Sequence, residues 1–220
     1  MPCQYCKGNC QKAGRQRNGA QKLYCKGCRK YQQEAYRYRA CQSHVGSPVG
    51  QLVSESVGIR GISRILEIGA STVMRRIIRR ANEITKPNVL LDQRSFEVDE
   101  LWTYIGRKEN EHWVAYALDR NKDVIDFVVG KRTVATLRQL TDRLLGSGVK
   151  KIRTDRLTHY RKLIPKDRHL CSIYGINHIE RKNLTLRTHL KRLSRRMICF
   201  NRSILMLESC LKIYFWGAER

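Results

Sequence analysis

The spacing of apolar residues changes character along the chain. Between residues 47 and 86 it is helical. "IRGISRILEIGASTVMRRIIRRANEI" predicts a short helix over roughly Ile62–Glu67, a turn at Ile68–Gly69, and a second helix from Ala70 to about Glu83. Val73, Ile77 and Ala81 form the buried stripe of that second helix. Ser47 before Pro48 has the N-cap and first-turn pattern of an earlier helix, and Ser71 and Thr72 offer caps and early contacts for the later one. Pro87 closes the segment, and "KPNVLLDQRS" reads as a linker.

From Ser95 the period becomes two. "SFEVDELWTYIG" places Phe96, Val98, Trp102 and Tyr104 on one face of a strand and Glu97, Asp99, Leu101 and Ile105 on the other. "HWVAYALDR" and "VIDFVVGKR" follow after short turns, which gives an antiparallel meander of three strands. "TVATLRQLTDRLLGSG" returns to helical spacing through Val134, Leu137, Leu140 and Leu144, and "VKKIRTD" is then a fourth strand, parallel because a helical crossover precedes it. Helical character resumes from Ile179 to about Met197.

Three antiparallel strands, a helix, a parallel strand and further helices make an α/β fold in the ribonuclease H-like order, with the first strand beside the fourth. The expected organisation is a small metal-binding module over residues 1–42, a helix-turn-helix over 45–86, and a ribonuclease H-like domain over 92–220.

The first 42 residues lack a core-forming pattern and carry cysteine pairs instead. Cys3 and Cys6, then Cys25 and Cys28, are two C-x2-C knuckles with 18 residues between them, a spacing suited to a tetrahedral Zn2+ site that supplies the module's folding energy. Gly8 and Gly27 are placed to serve as positive-φ residues in the knuckles. A turn at Asn18–Gly19 precedes a short strand that feeds the second knuckle. Cys10 and Cys41 lie outside the spacing; Cys10 is an alternative ligand.

Charge narrows the partner. Lysine and arginine number 44 against 19 acids, a formal +25 spread over the whole chain, which points to an extended track for nucleic acid. In the helix-turn-helix reading Ser71, Thr72, Arg75 and Arg76 face the major groove, with Arg79 beside them; a helical hairpin with a solvated basic face is the alternative. No 18-residue apolar run occurs, and the first residues, "MPCQYCKGNCQKAG", are polar, so a cytoplasmic, nucleoid-associated protein without a membrane span is expected.

Few acids stand in this basic chain, and three fall at convergent places. Asp99 lies midway along the first strand and Asp155 ends the fourth, 56 positions later. Glu180 opens the long helix, with Leu184, Arg187 and Lys191 on its stripe at about 100° per residue. Such carboxylates repel by several kcal/mol unless divalent cations, Mg2+ or Mn2+, neutralise them, and two such ions suit in-line phosphoryl transfer. Arg187 would then hold a phosphate.

"VDELWTYIGRK", "GKRTVATLRQL", "TDRLTHY" and "HIERKNLTLRTHLKRLSRR" resemble segments of the insertion-sequence-one family of transposases. The resemblance implies that Asp99, Asp155 and Glu180 are the metal-binding acids of a DDE site, with Arg187 the basic residue that follows. It also implies recognition of double-stranded element ends, with Lys191 and Arg192 adding to the contacts. Strand cleavage, joining to target DNA, and a homodimer or larger assembly follow from it as well. One residue departs from the family pattern: Arg156 stands where glycine usually follows the second aspartate. Two other classes stay open: a DNA-binding regulator with a weakened site, and a structure-selective nuclease of the same fold.

Overall fold

The protein is described from a computed structural model, which covers residues 1–34, 36–87, 95–171, 176–194 and 199–217. Its backbone falls into two units, Met1–Ser47 and Pro48–Arg220.

In the first unit β1 (Cys10–Arg15), β2 (Gln21–Cys25) and β3 (Tyr31–Gln33) form an antiparallel sheet in that order. The β1–β2 connection is the expected turn: Gly19 takes φ +79° and Ala20 N–H donates to Asn18 Oδ1 at 3.1 Å. Strand alternation buries Leu23 and Cys25 and sends Lys22 and Tyr24 to the opposite face. The expectation for the glycines fails. Lys7 (φ 63°) and Arg29 (φ 56°), each directly after the second cysteine of its knuckle, take the left-handed conformation, and Gly8 and Gly27 do not.

The second unit begins with α1 (Pro48–Ser54), α2 (Ile59–Leu66) and α3 (Ala70–Glu83). Val73, Ile77 and Ala81 are buried as expected, whereas α2 starts about one turn earlier than its spacing suggested. Ser47 Oγ donates to the His44 carbonyl at 3.1 Å. Two cap expectations are corrected. Gly69, not Ser71 or Thr72, is the N-cap of α3, and it makes no side-chain bond. The α2–α3 turn depends on Glu67 at φ 53°, with Ser63 Oγ donating to the Ile68 carbonyl at 2.6 Å. Residues 88–94, most of the expected linker, lie outside the described residues.

Next come β4 (Ser95–Tyr104), β5 (Glu111–Leu118), β6 (Val124–Gly130), α4 (Val134–Gly146), β7 (Lys151–Thr154), α5 (Thr158–Leu163), β8 (His169–Cys171), α6 (Asn177–His189) and α7 (Ile204–Trp216). The sheet order is β6-β5-β4-β7-β8, with β4 antiparallel to β5 and parallel to β7. The expected meander and crossover are therefore present, and α5, β8 and α7 extend them. Helices cover both faces of the sheet. Phe96 and Val98 pack with Leu137, Leu140 and Leu144 of α4 and Tyr160 of α5. Leu101 and Ile105 pack with Ile179 and Leu186 of α6 and with Leu207, Leu211 and Phe215 of α7.

The long C-terminal helix is shorter than its periodicity suggested. It stops at His189, and a single 3-10 turn at Lys191–Leu193 follows. No glycine or proline marks this stop. Instead the Lys191 N–H leaves the helix to bond Ser56 Oγ at 2.8 Å, while the Arg192 side chain and carbonyl both bond Asn201. Leu190 and Leu193 stay buried across the break. Met197 lies outside the described residues.

Candidate active site

Adjacent residues of a strand face opposite ways, and in β4 that gives two neighbouring acids different partners. Asp99 shares its face with Glu97 and looks toward α6; Glu100 shares its face with Phe96 and Val98 and looks toward α5. Asp155 directly follows β7, whose parallel register with β4 pairs Glu97 with Arg153. The strand end is thereby brought beside Asp99. Carboxylate oxygens of Asp99, Glu100 and Asp155 all lie within 4.8 Å of one another.

Each acid is held differently. Asp99 Oδ1 accepts from the Glu100 N–H at 2.8 Å, and Oδ2 accepts from Asn183 Nδ2 at 2.6 Å. Asn183 is oriented in turn by Tyr116, whose hydroxyl donates to Asn183 Oδ1 at 2.9 Å. Asp155 closes a turn, accepting from the Leu157 N–H at 2.9 Å. Glu100 is spoken for: its buried side chain accepts from the Tyr160 hydroxyl and from two N–H groups of Arg132 at 2.9 and 3.2 Å. The Arg132 guanidinium also sits 4.4 Å from the Trp113 ring centroid. Burial first, then the neighbouring charges of Asp155 and Glu180, push the Asp99 carboxyl above the usual range against two hydrogen bonds. Burial likewise raises Glu100, opposed by Tyr160 and Arg132.

Glu180 is exposed in the first turn of α6. It lies outside the tight cluster, yet its charge is felt at Asp99. The start of α6 is fixed by Glu97, which the alternation pattern placed beside Asp99 without assigning it a role. Glu97 Oε2 accepts from the Ile179 N–H at 2.9 Å, and its Oε1 lies 2.8 Å from His178 Nδ1. Two strand residues span about 6.8 Å and four helical residues about 6 Å, so the pair 97 and 99 matches the pair 179 and 183. Arg187 is half-buried two turns beyond Glu180. Lys191 is not on that helix but on the 3-10 turn after it, and Arg192 is engaged with Asn201.

On α3, Ser71, Arg75 and Arg79 are exposed, while Thr72 and Arg76 are half-buried. Arg75 Nη2 donates to Thr72 Oγ1 at 3.3 Å, which steadies the guanidinium on the helix surface.

In the first unit the four knuckle sulfurs lie within 4.8 Å of one another, with Cys3–Cys28 and Cys6–Cys25 each at 3.5 Å. Tetrahedral Zn–S bonds of about 2.3 Å would put sulfurs about 3.8 Å apart, so the set fits that ion. Burial opposes the Cys3 thiolate, but the N–H groups of Cys6 and Tyr5, together with the Cys28 and Cys6 thiols, outweigh it and lower the group to about 6. Cys10 moves the other way, to about 11, through burial and its sulfur neighbours Cys3 and Cys25, and it stands outside the cluster.

Sequence reasoning did not single out Glu97, Glu100, Tyr116, Arg132 or Asn183. Asn183 had a signal, since it sits three residues after Glu180 on one helix face.

Residues 94–216 match the family model described as IS1 transposase. The insertion element iso-IS1n protein InsB of Shigella dysenteriae is 38% identical over 116 residues, which is 52% of this chain and 88% of that protein. The insertion element IS1 protein InsB of Shigella flexneri is 36% identical over 119 residues, 54% of this chain and 91% of that one. A chain in the structure of the simian T-cell lymphotropic virus intasome in complex with PP2A regulatory subunit B56 gamma aligns over 75% of this chain and 65% of its own, at 14% identity and a TM-score of 0.38. The match over 94–216, which contains all three acids, and the two InsB relatives together place the chain in the IS1 transposase family.

Proposed function

We propose that this chain is a DDE transposase that binds the ends of its insertion sequence and catalyses metal-dependent strand cleavage and strand transfer. The observation that carries the reading is the approach of Asp99 and Asp155, drawn from distant parts of the sequence to within 4.8 Å with Glu180 electrostatically coupled to Asp99. Two buried or half-buried carboxylates at that distance repel by several kcal/mol, an arrangement that suits cation binding.

Asp99, Asp155 and Glu180 would hold the ions, Mg2+ or Mn2+. Bound there, such ions would supply Lewis acidity at phosphoryl oxygens and a lowered pKa for the attacking hydroxyl. Glu100 is excluded as a ligand in this reading because Tyr160 and Arg132 occupy it. Arg187 binds a phosphate. The domain containing the acids has the ribonuclease H-like order, and residues 1–42 form a zinc module held by Cys3, Cys6, Cys25 and Cys28. α2 and α3 serve as a helix-turn-helix, with Ser71, Thr72, Arg75, Arg76 and Arg79 meeting double-stranded DNA, and Lys191 and Arg192 extend the basic track. Holding two element ends for joining calls for a homodimer or larger assembly.

The test is strand transfer of a labelled element-end oligonucleotide with Mg2+, comparing the unmodified chain with Asp155→Ala. The variant is expected to bind DNA and join none. Binding without cleavage or joining by the unmodified chain would instead favour a transposase-derived regulator, the reading that Arg156 beside Asp155 favours.

A further inference from the structure

The outer face of the three-stranded sheet has no role in the metal-binding or strand-joining chemistry. Lys22 and Tyr24 of β2 point to this face, because Leu23 and Cys25 point inward. Tyr24 and Tyr31 are direct cross-strand partners, with ring centroids 4.8 Å apart. The Lys22 ammonium lies 4.0 Å from the Tyr31 centroid, which fixes that ring from one side. Tyr31 nevertheless keeps 54% of its surface open. A second pair repeats the device on the first knuckle: Lys30 lies 4.5 Å from the ring of Tyr5, which is 55% exposed.

Exposed aromatic surface in a small module costs free energy in water unless a partner covers it. The charge around these rings says what kind of partner. Residues 1–47 carry ten lysines and arginines and a single acid, Glu34. A cationic surface with fixed, half-open rings fits a polyanion that also presents planar faces. Duplex DNA offers phosphates but keeps its base faces stacked, so it would use the lysines and leave the rings idle. Unpaired nucleotides use both.

We infer that the Lys22–Tyr24–Tyr31 face of the first unit is a stacking platform for unpaired DNA bases. Tyr31 presents the open ring, Tyr24 and Lys22 hold it in place, and neighbouring cations take the flanking phosphates. The surface is chemically independent of Asp99 and Asp155, and it adds a single-stranded partner to the proposed duplex one.

The experiment separates bases from phosphates. Full-length chain, in buffer without Mg2+, is titrated with a fluorescent strand of twelve thymidines and with an abasic strand of equal length and charge. The thymidine strand is expected to bind roughly 5- to 150-fold more tightly, the range for one stacked base. Tyr31→Ala should bring that ratio close to one, and Tyr31→Phe, which keeps the ring, should preserve it. Equal affinity for the two strands in the unmodified chain overturns the inference, as does a ratio unmoved by Tyr31→Ala. Should the alanine variant lose its fold, photocrosslinking of the unmodified chain to a 5-iodouracil strand decides. Adducts on the peptides holding Tyr24 or Tyr31 support the platform, and adducts confined to residues after Ser47 reject it. Because no strand joining is read, a chain that stacks bases but joins no DNA fails only the catalytic proposal.

Discussion

Asn183 Nδ2 donates to Asp99 Oδ2 at 2.6 Å across 84 positions of sequence, so the helix that carries Glu180 is tied directly to the strand that carries Asp99. The amide cannot turn around without setting its oxygen against the carboxylate, and the Tyr116 hydroxyl holds it the right way. Replacing Asn183 by Leu keeps the side chain's approximate size and removes the donor. On the proposed reading of Asp99 as a metal ligand, loss of a partner behind it lowers affinity or activity about 10- to 100-fold. Strand joining at saturating DNA is expected to fall by that factor, with the Mg2+ dependence moved to higher concentration. A normal rate and normal Mg2+ dependence would show that Asp99 needs no such tether.

Glu97 should matter for stability more than its place outside the acid cluster suggests. Glu97→Ala removes the acceptor for the Ile179 N–H and for His178, leaving a buried donor unsatisfied at a cost of about 1–3 kcal/mol. Urea denaturation is expected to show that loss, with Glu97→Gln recovering part of it because one amide oxygen still accepts. If alanine and glutamine behave alike, the cap contributes nothing specific.

Glu100, Tyr160 and Arg132 should behave as one unit. Tyr160→Phe leaves a buried carboxylate short of a donor, and Arg132→Ala takes its cation away. Each is expected to cost about 1–3 kcal/mol. The double variant should depart from additivity by at least about 0.5 kcal/mol, the mark of groups sharing a partner. Strict additivity in a thermal or urea cycle would argue that the two contacts to Glu100 are independent.

Asp99 gives the pH expectation. Its folded pKa stands above the ordinary 3.8, so it contributes stability that is fully present below the unfolded value and lost as pH rises through the folded one. Burial is the first cause, and the Asp155 charge adds to it. Carboxyl carbon NMR of metal-free protein is therefore expected to place the Asp99 midpoint above 3.8 and to show it falling in Asp155→Asn. An unmoved midpoint would separate the two acids electrostatically.

How much of this was written in the sequence varies by element. The Asp99–Asp155 approach was legible because two local signals, period-two spacing and a helical crossover, suffice to set strands one and four side by side. Three-residue β8 and six-residue α5 are too short to carry a period. The end of α6 was hidden because Ser56, 135 positions away, takes the Lys191 N–H. Alternation put position 100 on an otherwise apolar face; a buried acid there makes sense only once Tyr160 and Arg132 are seen around it. In the knuckles, glycine was the obvious bearer of positive φ, yet Lys7 and Arg29 bear it because the strained position is the one right after each second cysteine.

The burial of α7 bears on how this protein can be re-engineered. One stripe of that helix, Leu207, Leu211 and Phe215, lies in the sheet's core. A second stripe, Met206, Cys210 and Ile213, is buried as well, with α1 and α3 packed along the helix. At its end Gly217 admits no side chain, since a methyl there would meet the Ile213 carbonyl at 2.6 Å and Ile84 at 2.8 Å. A chimera that exchanges the segment before residue 87 would strip the apolar flank that α1 and α3 cover on α7, and is expected to lose solubility. The backbone divides into two compact units after Ser47, which makes that position the natural seam for exchanging parts between relatives.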